Sequence, residues 1–310
     1  MTSKNRQLPA EILAALEDCR ALLSSEVGPV QDERTPALPL PSLMAQLGEL
    51  VEDSRNTGRR PLGLVHHFAC SGGTLISKCI ASMPNVCLLS ELDPLSAHGF
   101  DPTRPDFAPT DILRHLRYAR TDTPADVVQE TYLSALDTAY SLLGRSGRQI
   151  VIRDHTHSHY CTHADIDSRP THLEIIQDRF DVRPILTVRN PVDSYISLQE
   201  NGWIMHHPPN FDEYCRRYLR FLDDHRDVPL YKYEDIIASP RPMLQAICSE
   251  MQIDYDDGFE AVISVIPLTG DSGRMGTRIS HRPPKPRPAS LLKEMDDSSH
   301  YSDLISRLAY

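Results

Sequence analysis

Three groups of residues in this chain have types and spacings suited to chemistry, and the first occupies residues 70–75. Cys70, Ser71, Gly72, Gly73, Thr74 and Leu75 follow an apolar run and lead at once into a helix-like segment. Gly72 and Gly73 let the backbone approach an anion without side-chain hindrance. The amides from Ser71 to Leu75 open the helix, where unpaired N–H groups and the helix dipole favour negative charge. Ser71 and Thr74 add hydroxyl donors. Lys78 lies well into the helix and is followed by Cys79, so the pattern of Gly, four residues, then Gly-Lys-Ser/Thr is missing. An ATP cradle of that type is therefore disfavoured. By itself the turn is compatible with another phosphate, a phosphosulfate or no ligand.

The second group is Arg189-Asn190-Pro191 with Ser197. Arg189 ends an apolar run, Asn190 and Pro191 start a helix, and Ser197 follows Arg189 by eight residues. At that spacing a guanidinium fork and a hydroxyl two turns into the helix can converge on one phosphate. The third group is "VIRDHTHSHYCTH", residues 151–163, with Arg153 and His155 just beyond an apolar run. His155, His157 and His159 alternate, as they would on one face of a strand, and Cys161 and His163 follow. Nitrogen and sulfur ligands suit zinc. Neither CxxC nor HExxH accompanies the cluster, and no metal is expected.

These groups need elements to hold them. Apolar runs at 62–69, 85–90, 148–154, 183–189 and 228–235 are strand candidates, and helical patterns cover 75–83, 127–144, 191–202, 211–225 and 240–251. Alternation of strands and helices implies crossover connections, hence a three-layer α/β fold with a largely parallel central sheet. In such sheets ligands sit beyond the carboxyl ends of the strands. Each strand candidate ends in polar or reactive residues: Cys70-Ser71, Ser90-Glu91, Arg153-Asp154-His155, Arg189-Asn190 and Glu234-Asp235.

Residues 9–25 have helical spacing and 28–41 are rich in proline, so residues 1–60 are expected to be a helical extension and linker, with one main domain over 61–310. The chain has 310 residues and a formal net charge of -11, which leaves no electrostatic footprint for nucleic acid. No stretch approaches the roughly 18 apolar residues of a membrane span. Pro9 and Glu11 interrupt any signal-peptide core, and the seven scattered cysteines read as free thiols; a cytoplasmic location is expected.

The Arg189-to-Ser197 segment closely resembles the 3′-phosphate-binding motif of sulfotransferases that use 3′-phosphoadenosine 5′-phosphosulfate (PAPS). Residues 70–74 are then similar to the family's 5′-phosphosulfate loop, "YKYEDI" (231–236) to its Tyr-Glu-Asp segment, and "GDSGRMGTRISHRP" (270–283) to its basic C-terminal loop. The resemblance implies a P-loop-like sheet topology and transfer of a sulfuryl group to a hydroxyl or amine acceptor, with adenosine 3′,5′-bisphosphate (PAP) as product. It implies that the loop at 70–75, Arg189, Ser197, Tyr233, Arg274 and Arg278 bind the nucleotide. His155 and Glu91 are both implied as the base. Segments 92–125 and 200–215 are expected to line the pocket of a small-molecule or carbohydrate acceptor. One departure stands out: the family places Lys or Arg where this chain has Cys70, so either another cation serves, with Arg153 and Lys78 as candidates, or catalysis is weakened. The rivals are an ATP-dependent phosphotransferase and, because of Cys70, a non-catalytic nucleotide-binding relative. Oligomeric state is open.

Overall fold

A computed structural model describes residues 60–101, 103–119, 123–163, 165–269, 279 and 283–310. All of the expected N-terminal extension but its last residue, together with Arg274 and Arg278, lies outside the described residues. From Leu62 the chain runs β1 (Leu62–His67), α1 (Gly73–Ala81), β2 (Val86–Leu92), α2 (Ile112–Tyr118), α3 (Ala125–Gly144), β3 (Gln149–Asp154) and α4 (Thr156–Tyr160). It continues through α5 (His172–Ile176), β4 (Val182–Val188), α6 (Pro191–Glu200), α7 (Phe211–Asp224), β5 (Leu230–Lys232), α8 (Tyr233–Ala238) and α9 (Pro240–Glu250). A short α10 (Phe259–Val262), α11 (Ala289–Asp297) and α12 (Ser299–Leu308) complete it.

The five strands form one sheet in the order β2-β3-β1-β4-β5, and every neighbouring pair is parallel. Two-residue periodicity decides which side chain meets which helix layer. On one face Val65, Val151 and Ile185 pack with Ile76 and Ile80 of α1 and Leu244 and Ile247 of α9. On the other, Leu62, Leu64, Ile150 and Ile152 pack with Tyr132 and Leu136 of α3 and Ile175 and Ile176 of α5. Leu186 and Val188 of β4 pack with Tyr214, Tyr218 and Phe221 of α7. Covered on both faces, the central strands read as nearly continuous apolar runs.

From β1 the chain builds β2 and β3 on one side and β4 and β5 on the other, so the order reverses between β1 and β4. The crevice beyond the carboxyl ends of the strands at that switch point is where such sheets receive ligands. The glycine turn follows β1, and Arg189 follows β4.

Two local expectations fail. The run at 228–235 stops being a strand at Lys232, because Tyr233 starts α8. The histidine cluster is no strand either: His155 is the N-cap residue of α4, and His157 and His159 lie on that helix. The alternation that suggested a shared ligand face is therefore absent.

Candidate functional site

The glycine turn is shaped by what presses on it. Gly72 has φ +92°, and a Cβ there would lie 2.3 Å from the Tyr233 ring. A Cβ on Gly73 would lie 2.3 Å from the His67 ring. Cys70 also takes a left-handed conformation, φ +60°, which is uncommon outside glycine. Ser71 N–H donates to the Phe68 carbonyl at 3.1 Å and Leu75 N–H to the Gly72 carbonyl at 3.0 Å, so the span of amides offered to an anion is shorter than the sequence suggests. The Ser71 hydroxyl is fully buried and has no partner. A buried orphan hydroxyl at a helix N-terminus, in a turn whose glycines let the Tyr233 and His67 rings pack close, fits a phosphate or phosphosulfate group.

Arg189 meets this turn from β4. Its Nη1 donates to the Cys70 carbonyl at 3.3 Å, its guanidinium lies 5.1 Å from the centre of the Tyr233 ring, and Nη2 is 3.9 Å from Asp193 Oδ2. Asn190 caps α6 by accepting from the amides of Val192 and Asp193, with Pro191 in the first turn, as its chemistry favours. Ser197, nearly buried, donates to the Asp193 carbonyl at 2.9 Å. Asp193 thus touches both residues of the motif, and its carboxylate also accepts the Lys285 N–H at 3.2 Å. Tyr233 is buried against Gly72 and Arg189, where it supports the turn.

Strand alternation separates the residues at the end of β3. Arg153 points to the turn: Nη2 lies 3.2 Å from Thr74 Oγ1, 3.2 Å from His67 Nε2 and 2.7 Å from Glu91 Oε1. Asp154 points to the opposite face, accepting from His66 at 2.7 Å and His172 at 3.2 Å, while the Tyr132 hydroxyl donates to His172 at 2.7 Å. Burial pushes the Asp154 carboxyl up, but those hydrogen bonds outweigh it and hold the pKa well below the ordinary range. His66, Asp154 and His225 bring ligand-type atoms within 4.8 Å of one another. Both Asp154 oxygens are already engaged by histidines, so this trio reads as part of a buried hydrogen-bond network.

Glu91 stands where β2 slips register: Ser90 pairs with Arg153, and Leu92 pairs with Asp154. Its φ is +61°. A bulge with a left-handed glutamate is strained backbone, of the kind that re-aims a side chain. Oε2 is buried without a hydrogen-bond partner and lies 3.8 Å from His155 Nε2. Burial raises the Glu91 carboxyl from 4.5 to about 7, against the pull of Arg153. Burial lowers His155 below its ordinary value, and His157 to about 3, so both rings are neutral near pH 7. His67 is held neutral as well, by burial and then by Arg153.

A cleft of about 550 Å³ joins these parts: Cys70, Gly72, Gly73, Arg153 and Ser197 line it together with Glu91, His98 and His155. A second cleft of about 490 Å³, between the chain after β2 and helices α2 and α3, shares Glu91, His98 and His155 with the first. Of the nucleotide-binding candidates, Ser71, Thr74, Leu75, Arg189 and Tyr233 pack in or against the turn, and Cys70, Gly72, Gly73 and Ser197 face the cleft. Lys78 is not among the lining residues. His67, His98, Asp193 and Lys285 escaped sequence reasoning; only His67 left a signal, as a polar residue inside an apolar strand.

No protein-family model matches the chain, and no curated protein matches it. Among solved structures it is similar to a sulfotransferase domain from the curacin biosynthetic pathway, at 14% identity and a TM-score of 0.48, covering 81% of this chain and 97% of that one. It is similar to a sulfotransferase from Alicyclobacillus acidocaldarius at 15% identity and a TM-score of 0.40, covering 81% and 95%. It is also similar to mouse sulfotransferase SULT7A1, crystallised with PAP, at 14% identity and a TM-score of 0.44, covering 83% and 89%. At these identities and overlaps the chemistry rests on this chain's own residues.

Proposed function

We propose that this chain is an enzyme that moves a sulfuryl group from PAPS to a hydroxyl or amine acceptor. One observation carries the reading: the glycine turn after β1 and the arginine after β4 touch, Arg189 Nη1 to the Cys70 carbonyl at 3.3 Å, with Ser197 on the wall of the same cleft. Two anion-binding devices from distant parts of the sequence then serve one doubly phosphorylated nucleotide.

When bound, PAPS supplies the sulfuryl group: an acceptor oxygen–sulfur bond forms, the sulfur–oxygen bond to the phosphate breaks, and PAP leaves. Such a transfer needs the acceptor proton removed and charge on the leaving phosphate neutralised. Arg153 is the cation that stands in for the missing loop Lys or Arg, since it reaches Thr74 and lines the cleft. Glu91 is the proton acceptor: Oε1 is fixed by Arg153, Oε2 has no hydrogen-bond partner within the protein, and a pKa of about 7 suits neutral pH. His155, neutral and 3.8 Å from Oε2, orients the acceptor hydroxyl. The acceptor proton ends on Glu91. Arg274 and Arg278 remain candidates for the 3′-phosphate, and the protein is assigned to the cytoplasm.

The test is transfer of labelled sulfuryl from PAPS to a panel of alcohols, phenols and amines, with and without EDTA. Transfer that survives EDTA is expected. Labelled phosphate moving from ATP with a strict magnesium requirement would establish the phosphotransferase instead. PAP binding without transfer to any acceptor would leave a nucleotide-binding protein.

A further inference from the structure

The second cleft carries information about the acceptor, because most of its polar groups are already engaged within the protein. The Tyr132 hydroxyl donates to His172, and the Thr131 hydroxyl donates to the Val127 carbonyl. Asp93 accepts from Arg169 at 2.6 Å and from the Ser158 hydroxyl; Asp111 caps α2 by accepting from the Arg114 amide at 3.0 Å. The rest of the wall is largely apolar, with Leu92, Phe100, Ile112, Leu113 and Ala135. A polyol placed here would lose water from several hydroxyls and find few partners, at a cost for each.

Besides the His98 ring and the Thr110 hydroxyl, two sets of polar groups stay open. One is Glu91 Oε2 beside His155, where this cleft meets the first. The other is the pair of guanidinium groups on α2. Arg114 Nε is buried without a partner, while its Nη2 is held by the Gly99 carbonyl and Asp106. Arg117 donates to the carbonyls of Ser96 and Leu95 and lies 5.3 Å from the centre of the Phe100 ring. No described carboxylate is within ion-pairing reach of it; beyond those carbonyls and the ring, its half-buried charge is answered only by the more distant Asp93 and Asp111 carboxylates. An anionic group brought by a ligand would complete it.

We propose, on the sulfuryl-transfer reading of the adjoining cleft, that the acceptor is an amphipathic alcohol or phenol with an apolar body and an anionic group at its far end. Its hydroxyl meets Glu91 and His155, its body lies against Leu92, Phe100 and Ile112, and its anionic group meets Arg117 and Arg114. Simple sugars are poor acceptors.

Calorimetry on the full chain, first loaded with PAP, tests this without turnover. Three probes are titrated: para-hydroxyphenylbutanoate, its neutral amide, and glucose. The carboxylate is expected to bind at least about tenfold tighter than the amide, as one charge-assisted contact provides, with glucose weakest. Arg117→Gln is expected to bring carboxylate and amide within about twofold while PAP affinity stays unchanged, and Arg117→Lys to retain a preference for the carboxylate. Equal binding of carboxylate and amide by the unmodified protein, or glucose binding as tightly as either, overturns the proposal; so does a preference that survives Arg117→Gln. Failure of the PAP loading step overturns the PAPS reading, and the carboxylate preference then still reports on this cleft.

Discussion

Glu91 concentrates several kinds of strain in one residue: a left-handed backbone, a bulge, a buried unpartnered oxygen and a carboxyl raised to about 7. A base must be deprotonated to work, so activity is expected to climb with pH through about 7. Glu91→Gln should lower kcat/KM by about 10²–10⁴ and remove that limb. His155→Gln should leave the limb in place, because His155 is already neutral there. Stability moves the opposite way. With its folded pKa above the ordinary 4.5, Glu91 favours the fold fully below that pH and loses this advantage as pH rises through about 7. Glu91→Gln is therefore expected to gain about 1–3 kcal/mol at pH 8 and almost nothing below about pH 4, read by chemical denaturation. A pH–rate limb that persists in Glu91→Gln would assign the proton to another group. Arg189 and Ser197 were legible because their chemistry is local: one strand end, one helix cap, a fixed spacing. The bulge at Glu91 was not, since it arises from register against β3, a neighbour 58 residues away in sequence at its first residue, Gln149.

The elements around the site were largely readable from apolar periodicity, and their order fixed a parallel sheet. Periodicity cannot tell a short helix from a strand, which is why α4 and the start of α8 were misread: five residues of "THSHY" hold too few turns to show a period. It does explain the division of labour at the end of β3. Arg153 serves the turn, whereas Asp154 ties β1, β3 and α5 together through His66 and His172. Asp154→Asn is expected to cost about 2–4 kcal/mol at pH 7 through the loss of charged hydrogen bonds. Because the folded pKa of Asp154 is depressed, its stabilisation is present above the ordinary value of 3.8 and fades as pH falls through the folded pKa. Denaturation midpoints of the two proteins should therefore converge in acid. Midpoints that stay equally separated would show that the carboxylate charge is not what the histidines require.

Across the whole molecule, an acidic chain with net charge -11 gathers Arg153 and Arg189 where the strand order reverses. That concentration of cations is what a polyanionic nucleotide needs from a protein whose average field repels it. The two clefts meet at Glu91 and His155, so nucleotide and acceptor would approach one pair of residues from different sides. Titration of PAP into the intact protein and into Arg189→Ala, followed by calorimetry, probes this arrangement most directly. Saturable binding to the intact protein is expected, weakened by about 1.5–3 kcal/mol in the variant. No heat with folded protein at millimolar PAP, or equal affinity in the two proteins, would contradict it.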